Sequence, residues 1–245
     1  MTDNPRDDVA AITLSEHSRL LIASHRAMRA DGRRLITATH RLQDRRPSDA
    51  LALGRAFAEI VTLIHDHHRA EDDVLYPFLT TRLPHFEHDA VQLEQDHVNL
   101  DAAMARVTAG LRLLGRAATP TIRHDTQQRL HDDARAFNDI LTDHLDREEA
   151  IIVPAFESTI STSEQRTLEA AESKLATYRH VRMAVPWILA NTTPDEATEL
   201  RRTAPRLVGV IHDHLWKRRF QRVMDPLYRP DPRHQQPRPA AATAA

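Results

Sequence analysis

Residues Leu53–Phe78 read LGRAFAEIVTLIHDHHRAEDDVLYPF. Leu53, Phe57, Ile60 and Ile64 recur at helical spacing, and the same face continues through His67, Glu71, Leu75 and Phe78. The stripe is apolar except at His67 and Glu71. An ionised carboxylate on a core face is costly unless it is paired or coordinated. A spacing of four residues puts both side chains on the same side of one helix, close enough to share an ion.

The break occurs twice. Leu130, Ala134, Phe137 and Leu141 form a second stripe, which passes through His144 and Glu148 before returning to Ile151 and Ala155. Asp66–Pro77, DHHRAEDDVLYP, aligns without gaps to Asp143–Pro154, DHLDREEAIIVP. The shared pattern is D-H-x-x-x-E-[DE]-x-φ-φ-x-P, with φ apolar. Imidazole and carboxylate together suit iron, manganese or zinc.

Composition agrees with helices. Of 245 residues only 5 are Gly, so tight turns are few and a Gly-rich phosphate loop is absent. Aromatics are 4%, and Ala, Leu, Arg, Glu and Asp dominate. With no Cys there are no disulfides, Cys-ligated zinc, iron–sulfur clusters or thiol nucleophiles. A net charge of −2 gives no basic field, so neither nucleic acid nor an anionic membrane is expected as a partner. The chain opens without an apolar signal region, and no run approaches the ~20 apolar residues of a membrane span. A cytoplasmic protein is the expectation. The 16 His stand out against this background.

Sparse punctuation divides the chain into helical blocks: 15–43, 48–82, 87–115 and 120–158, then 163–185 and 194–224. Thr162-x-x-Gln165 reads as a capping box. Thr193-Pro194-Asp195-Glu196 reads as a stronger one, with Pro205 kinking the last block. No segment alternates with period two. The pattern predicts an all-α protein, an antiparallel up-down-up-down four-helix bundle with two additional C-terminal helices. Residues 1–14 read as a flexible N-terminus, 15–158 as the bundle, 159–225 as a helical extension and 226–245 as a disordered Pro/Ala-rich tail.

The remaining two bundle helices each supply a histidine at matching depth. Leu21, His25, Met28 and Leu35 share one face, and His97, Asp101, Met104 and Leu111 another. This order, H…HxxxE…H…HxxxE on four helices, resembles the hemerythrin-like (HHE cation-binding) family over residues 15–158. The resemblance implies that His25, His67, Glu71, His97, His144 and Glu148 bind two non-haem iron ions, with the glutamates bridging. Manganese fits the same ligands. Oxygen-carrying members have a second His one turn after the third-helix His, where this chain has Asp101. They place an Asp five residues after the last His, where this chain has Glu149 behind Glu148. Asp101 is therefore either an additional ligand or a partner of a ligand. The two glutamates give a formal charge of about −2 at the metals, against about −4 for a carboxylate-rich ferritin-like site. Less anionic charge favours binding or sensing of O2, NO, peroxide or iron itself. A diiron enzyme consuming peroxide or acting as an oxidase at the same residues is the alternative, and a structural module is the third. No residue is assigned a catalytic role.

For any single histidine on a core stripe, a hydrogen-bonded core residue is the ordinary reading. The repeated HxxxE pair argues against it here. His65 and His68 flank His67 and read as solvent-facing or supporting, with His68 the rival if the register slips. Asp72 and Glu149 read as supporting or surface acids, and Tyr76 as packing. His17, His40, His85, His88, His124, His131, His180 and His234 carry no pattern. Val210–His214 echoes the first segment, but the residue one turn after His214 is Arg218, a cation, so His214 reads as structural. Leu215, Trp216, Phe220, Val223 and Leu227 are expected to dock the extension, which also offers a surface for a protein partner.

Overall fold

A computed structural model of the chain describes residues 14–42, 46–117, 119–203, 209 and 211–229. The expected N-terminal segment up to residue 13, the Pro205 kink and the tail from residue 230 lie outside the described residues. Among those described, every regular element is helical.

Four long helical runs form the bundle. The first, α1, spans Glu16–Arg41 and begins where the Ser15 side chain accepts from the Ser18 N–H. The second is continuous through three pieces: α2 (Pro47–Ala70), a π-helical turn (Glu71–Leu75) and α3 (Tyr76–Thr80). Third and fourth come α4 (Phe86–Leu114) and α5 (Pro120–Ser158). Close approaches fix the antiparallel pairing. Gly54 faces Leu111 and Gly115 faces Leu51 across α2 and α4, while Gly110 faces Leu130 across α4 and α5. Side-chain bonds from Ser18 to Glu157 and from Thr39 to His131 align α1 against α5 in the same sense. The connections are too short for anything but antiparallel neighbours.

The π turn changes the register of the deciding stripe. A wider turn inserts an extra residue and rotates the helix beyond it. Leu75, Tyr76 and Leu79 are buried, whereas Phe78, expected on the core face, is only partly covered. The turn leads into Pro77, which has no N–H to return to the preceding turn.

The C-terminal blocks divide further than expected. The fifth block is two helices, α6 (Thr162–Glu172) and α7 (Tyr178–Leu189), because the Thr177 side chain accepts from the His180 N–H and starts a new helix. The α6 capping box is Ser161 with Glu164, one residue earlier than Thr162 and Gln165. Gln165 instead turns inward and donates to the carbonyls of Phe156 and Ile160. The helix α7 runs through Pro186. The sixth block contains α8 (Pro194–Thr203), then a π turn (His212–Trp216) and α9 (Lys217–Tyr228). The Thr193–Glu196 box is present, with each backbone N–H donating to the other side chain. Helix α9 continues past Pro226, so the boundary placed there falls inside a helix, and Leu227 is buried.

Helices α7 and α9 pack into the seam between α1 and α2. Met183, Trp187, Phe220, Met224 and Leu227 join Met28, Leu35, Phe57, Ile60 and Phe137 in one apolar core. Trp187 Nε1 donates to the buried carboxylate of Asp31 at 2.8 Å. Leu215, expected to dock, is 65% exposed, because the π turn points it outward while Trp216 is buried. A second apolar cluster closes the opposite end of the bundle around Leu75, Leu93, Ile152 and Phe156. Among the described residues no helix is long and apolar enough to cross a membrane.

Candidate metal centre

Between the two apolar clusters, four helices aim polar side chains at one another. His25 comes from α1, His67 and His68 from the end of α2, and Glu71 and Tyr76 from the π turn and α3. His97 comes from α4, with His144 and Glu148 from α5. All but His67 are buried, and its side chain is 16% exposed.

The side chains fall into two groups joined by a shared carboxylate. His68, Glu71, His97 and His144 each offer a ligating atom within 4.8 Å of the others. So do His25, His67, Glu71 and Glu148. Nε2 of His25 lies 3.1 Å from Nε2 of His67 and 3.4 Å from Glu148 Oε2. Glu71 Oε1 lies 2.7 Å from His67 Nε2, and its Oε2 lies 3.6 Å from His97 Nε2. His144 Nε2 stands 3.8 Å from Glu148 Oε2, which therefore reaches toward both groups.

Most of these atoms have no hydrogen-bond partner among the described residues. Both oxygens of Glu71, Oε2 of Glu148, both ring nitrogens of His144 and Nε2 of His68 are buried and unsatisfied. The short His67–Glu71 approach lacks hydrogen-bond alignment. Orphaned buried polar atoms are rare and call for an explanation such as an ion. Here the lone pairs converge from four helices on two points, and a divalent cation would satisfy them. The donor set of imidazoles and carboxylates fits iron or manganese.

Burial sets the protonation states. Desolvation holds the His67 imidazole down at about 4 and that of His144 at about 2, and also lowers His25 and His68. These rings are neutral, as ligation requires. Desolvation raises Glu71 well above the usual carboxylate range. It raises Glu148 to about 8, with the neighbouring Glu71 carboxylate adding to the rise. Two carboxyls facing each other without a counter-ion resist ionising together.

A second layer orients the first. His25 Nδ1 donates to Glu149 Oε1 at 2.9 Å, and Arg29 holds that carboxylate at 2.7 Å. His97 Nδ1 donates to Asp72 Oδ1 at 3.0 Å. The acid after each centre glutamate thus orients a histidine on another helix, a carboxylate–imidazole arrangement typical of metal-bound histidines. Asp96 sits 3.8 Å from His144 Nδ1 and is held by Arg147.

The structure brings together all six residues expected as ligands: His25, His67, Glu71, His97, His144 and Glu148. Asp101 is the exception. It is 57% exposed on its side chain and bonds His65 at 3.0 Å. His97 lies at one edge of the buried arc of α4. A further step of four residues turns about 40° more and carries Asp101 out of the interface.

Sequence reasoning missed two residues. His68, read as flanking, is buried and stacks on His97 with ring centroids 3.8 Å apart. Adjacent helix positions diverge by about 100°, so His67 turns toward α1 and His68 toward α4. The doubled histidine was the available signal. Tyr76, read as packing, donates to Glu148 Oε1 at 3.1 Å and lies 3.5 Å from His97 Nε2. The π turn put it there, and nothing in the apolar pattern announced that turn.

A family model described as the hemerythrin HHE cation binding domain matches residues 17–156. No curated protein and no solved structure matches the chain.

Proposed function

Since the chain belongs to the hemerythrin HHE cation-binding family, we propose that it is a non-haem dimetal protein, with iron as the resident metal, that binds or senses O2, NO, peroxide or iron itself. The observation that carries this reading is the pair of four-residue groups sharing Glu71, with buried lone pairs left without hydrogen-bond partners. His25, His67, His68, His97 and His144 would hold the ions together with Glu71 and Glu148. Manganese fits the same donors. Bound iron would supply reversible redox change and affinity for small oxygen and nitrogen ligands.

The protein's own contribution is positioning and exclusion. Glu149 and Asp72 fix the rotation and tautomer of His25 and His97. The apolar layers close the bundle at both ends and leave the approach to the centre on the His67 side. The distribution of imidazoles is uneven: three lie in the group with His97 and two in the group with His25. The second group exchanges an imidazole for the Glu148 carboxylate and includes His67, the most exposed of the centre's side chains. A small ligand finds room on that side.

Tyr76 favours a second reading, turnover of peroxide. Its phenol donates to Glu148 in a buried setting that raises its pKa well above the usual range, so it stands beside the centre as a protonated hydrogen-bond donor to an incoming oxygen ligand. The two readings separate by optical spectroscopy on anaerobically purified, iron-loaded protein. A band that appears with O2 or NO and disappears on removal of the gas supports binding. Multiple turnovers of added peroxide support the enzyme. A spectrum indifferent to all three ligands overturns both.

A further inference from the structure

The segment after residue 156 lies outside the family match, yet α6 and α7 build one wall of a cavity that ends at the metal centre. The cavity, open to solvent on one side, offers about 320 Å³ and is lined by residues of α1, α2, the first π turn, α6, α7 and the connection between the last two. His67 and Glu71 stand at its inner end. An engineered apolar cavity of roughly 150 Å³ accommodates benzene, so this space exceeds what a diatomic ligand or hydrogen peroxide needs.

We propose that this cavity is a binding site for a small neutral organic molecule, of single-aromatic-ring or short-aliphatic size with one hydrogen-bonding head. Its specificity is set by the C-terminal helices.

The body of the ligand would rest on Leu20, Ala70, Leu175, Ala184 and Ile188, which supply an apolar lining. Its head would find hydrogen-bonding groups at Ser24 and Glu172. The charge pattern selects against anions. No basic member of the lining is left to hold an anion, because each is already engaged or neutral. Arg69 pairs with Asp73, and His180 Nδ1 bonds Asp66 at 2.8 Å. His17 is stacked on Phe156 and held neutral by burial. A cation fares little better, since the His180 contact occupies Asp66 and burial raises Glu172 to about 7. The His180–Asp66 bond also ties α7 to the residue beside His67, so the extension is anchored at the edge of the centre.

The cavity's shape does not depend on a metal, but its position gives the proposed centre a second ligand class, and the test separates the two. Benzyl alcohol, benzoate and benzylamine, three probes of one size and different charge, are titrated by calorimetry into the purified full-length chain, with metal content measured on the same samples. Benzyl alcohol is expected to saturate a single site, with the two ions at least about tenfold weaker. Ala184→Phe on the inner wall and Ala176→Trp at the exposed rim should each weaken benzyl alcohol by about tenfold or more at unchanged helicity and metal content. Ala176 is exposed, so its variant folds even where the inner substitution does not. The proposal is overturned by an absence of saturable binding, by an ion binding as well as the alcohol, or by full binding in folded Ala176→Trp protein. Binding without metal would remove the metal centre and leave the pocket standing. Metal without binding would do the reverse.

Discussion

The phenol of Tyr76 donates a hydrogen bond to Glu148 Oε1 at 3.1 Å, from a helix on the far side of the centre. It ties the end of α2's run to α5 through a carboxylate that also faces His25 and His144. Tyr76→Phe keeps the ring packed against Phe86 and removes only the bond. The expected result is a folded protein, less stable by about 1 kcal/mol, whose metal affinity falls about tenfold. Chelator competition measures it, and an unchanged affinity would assign Tyr76 to packing alone.

Glu149 and Asp72 are expected to act through His25 and His97. Glu149→Gln and Asp72→Asn should each weaken metal binding by about 10–100-fold while leaving the helical content intact. Asp101→Ala serves as the contrast. Its carboxylate bonds exposed His65 rather than the centre, so metal content should not change and stability should stay within about 0.5 kcal/mol.

The contrast between these acids shows what the sequence carried. Helical periodicity placed His67, Glu71, His144 and Glu148 on core faces, and a repeated pattern made coordination the economical explanation. The four bundle helices were legible from the same stripes. Asp101 failed because four-residue spacing keeps a face only approximately, and His97 already sits at the edge of its buried arc. His68 and Tyr76 were hidden for the opposite reason. Whether two adjacent residues both reach a centre depends on the neighbouring helices, and a π turn leaves no mark in an apolar pattern. The break between α6 and α7 rests on one capping threonine, which is a weak signal in a chain rich in polar residues.

Metal uptake should depend on pH. Without metal, the Glu148 carboxyl is raised to about 8 and holds its proton below that value. Ligation needs both carboxylates, and Glu71 is raised as well, so binding below about pH 8 releases at least one proton and apparent affinity falls by at least about tenfold for each unit the pH drops. Proton release measured by calorimetry in buffers of different ionisation enthalpy checks this. Uptake with no proton release between pH 6 and 8 would count against the protonated pair.

His17 predicts an acid sensitivity away from the centre. Burial against Phe156 lowers its pKa from 6.5 to about 4. The folded state refuses a proton that the unfolded chain accepts. The stability tied to this group is therefore complete above pH 6.5 and is lost as pH falls toward 4. At pH 5 the loss is on the order of 1–2 kcal/mol. His17→Phe keeps the stack and removes the titration, so urea unfolding at pH 7.5 and pH 5 should show a smaller acid loss. An equal loss in both proteins would contradict the assignment.

Trp187 tests whether the extension belongs to the bundle's core. Its ring is buried with Met183 and Met224 in the same cluster as Met28 and Phe57, and its indole N–H satisfies Asp31. Trp187→Ala should cost about 3–5 kcal/mol and lower the single unfolding transition of the whole chain. Two separate transitions, with only one moved, would show that the extension is an independent unit.

The most direct test of the account is metal stoichiometry after anaerobic iron loading and removal of unbound ions, measured by plasma emission on the intact protein and on Glu71→Ala, the residue shared by both groups. The account predicts about two iron ions per chain in the parent protein and loss of iron from the variant with helicity retained. Trace iron in the parent, or full iron in the folded variant, would contradict it.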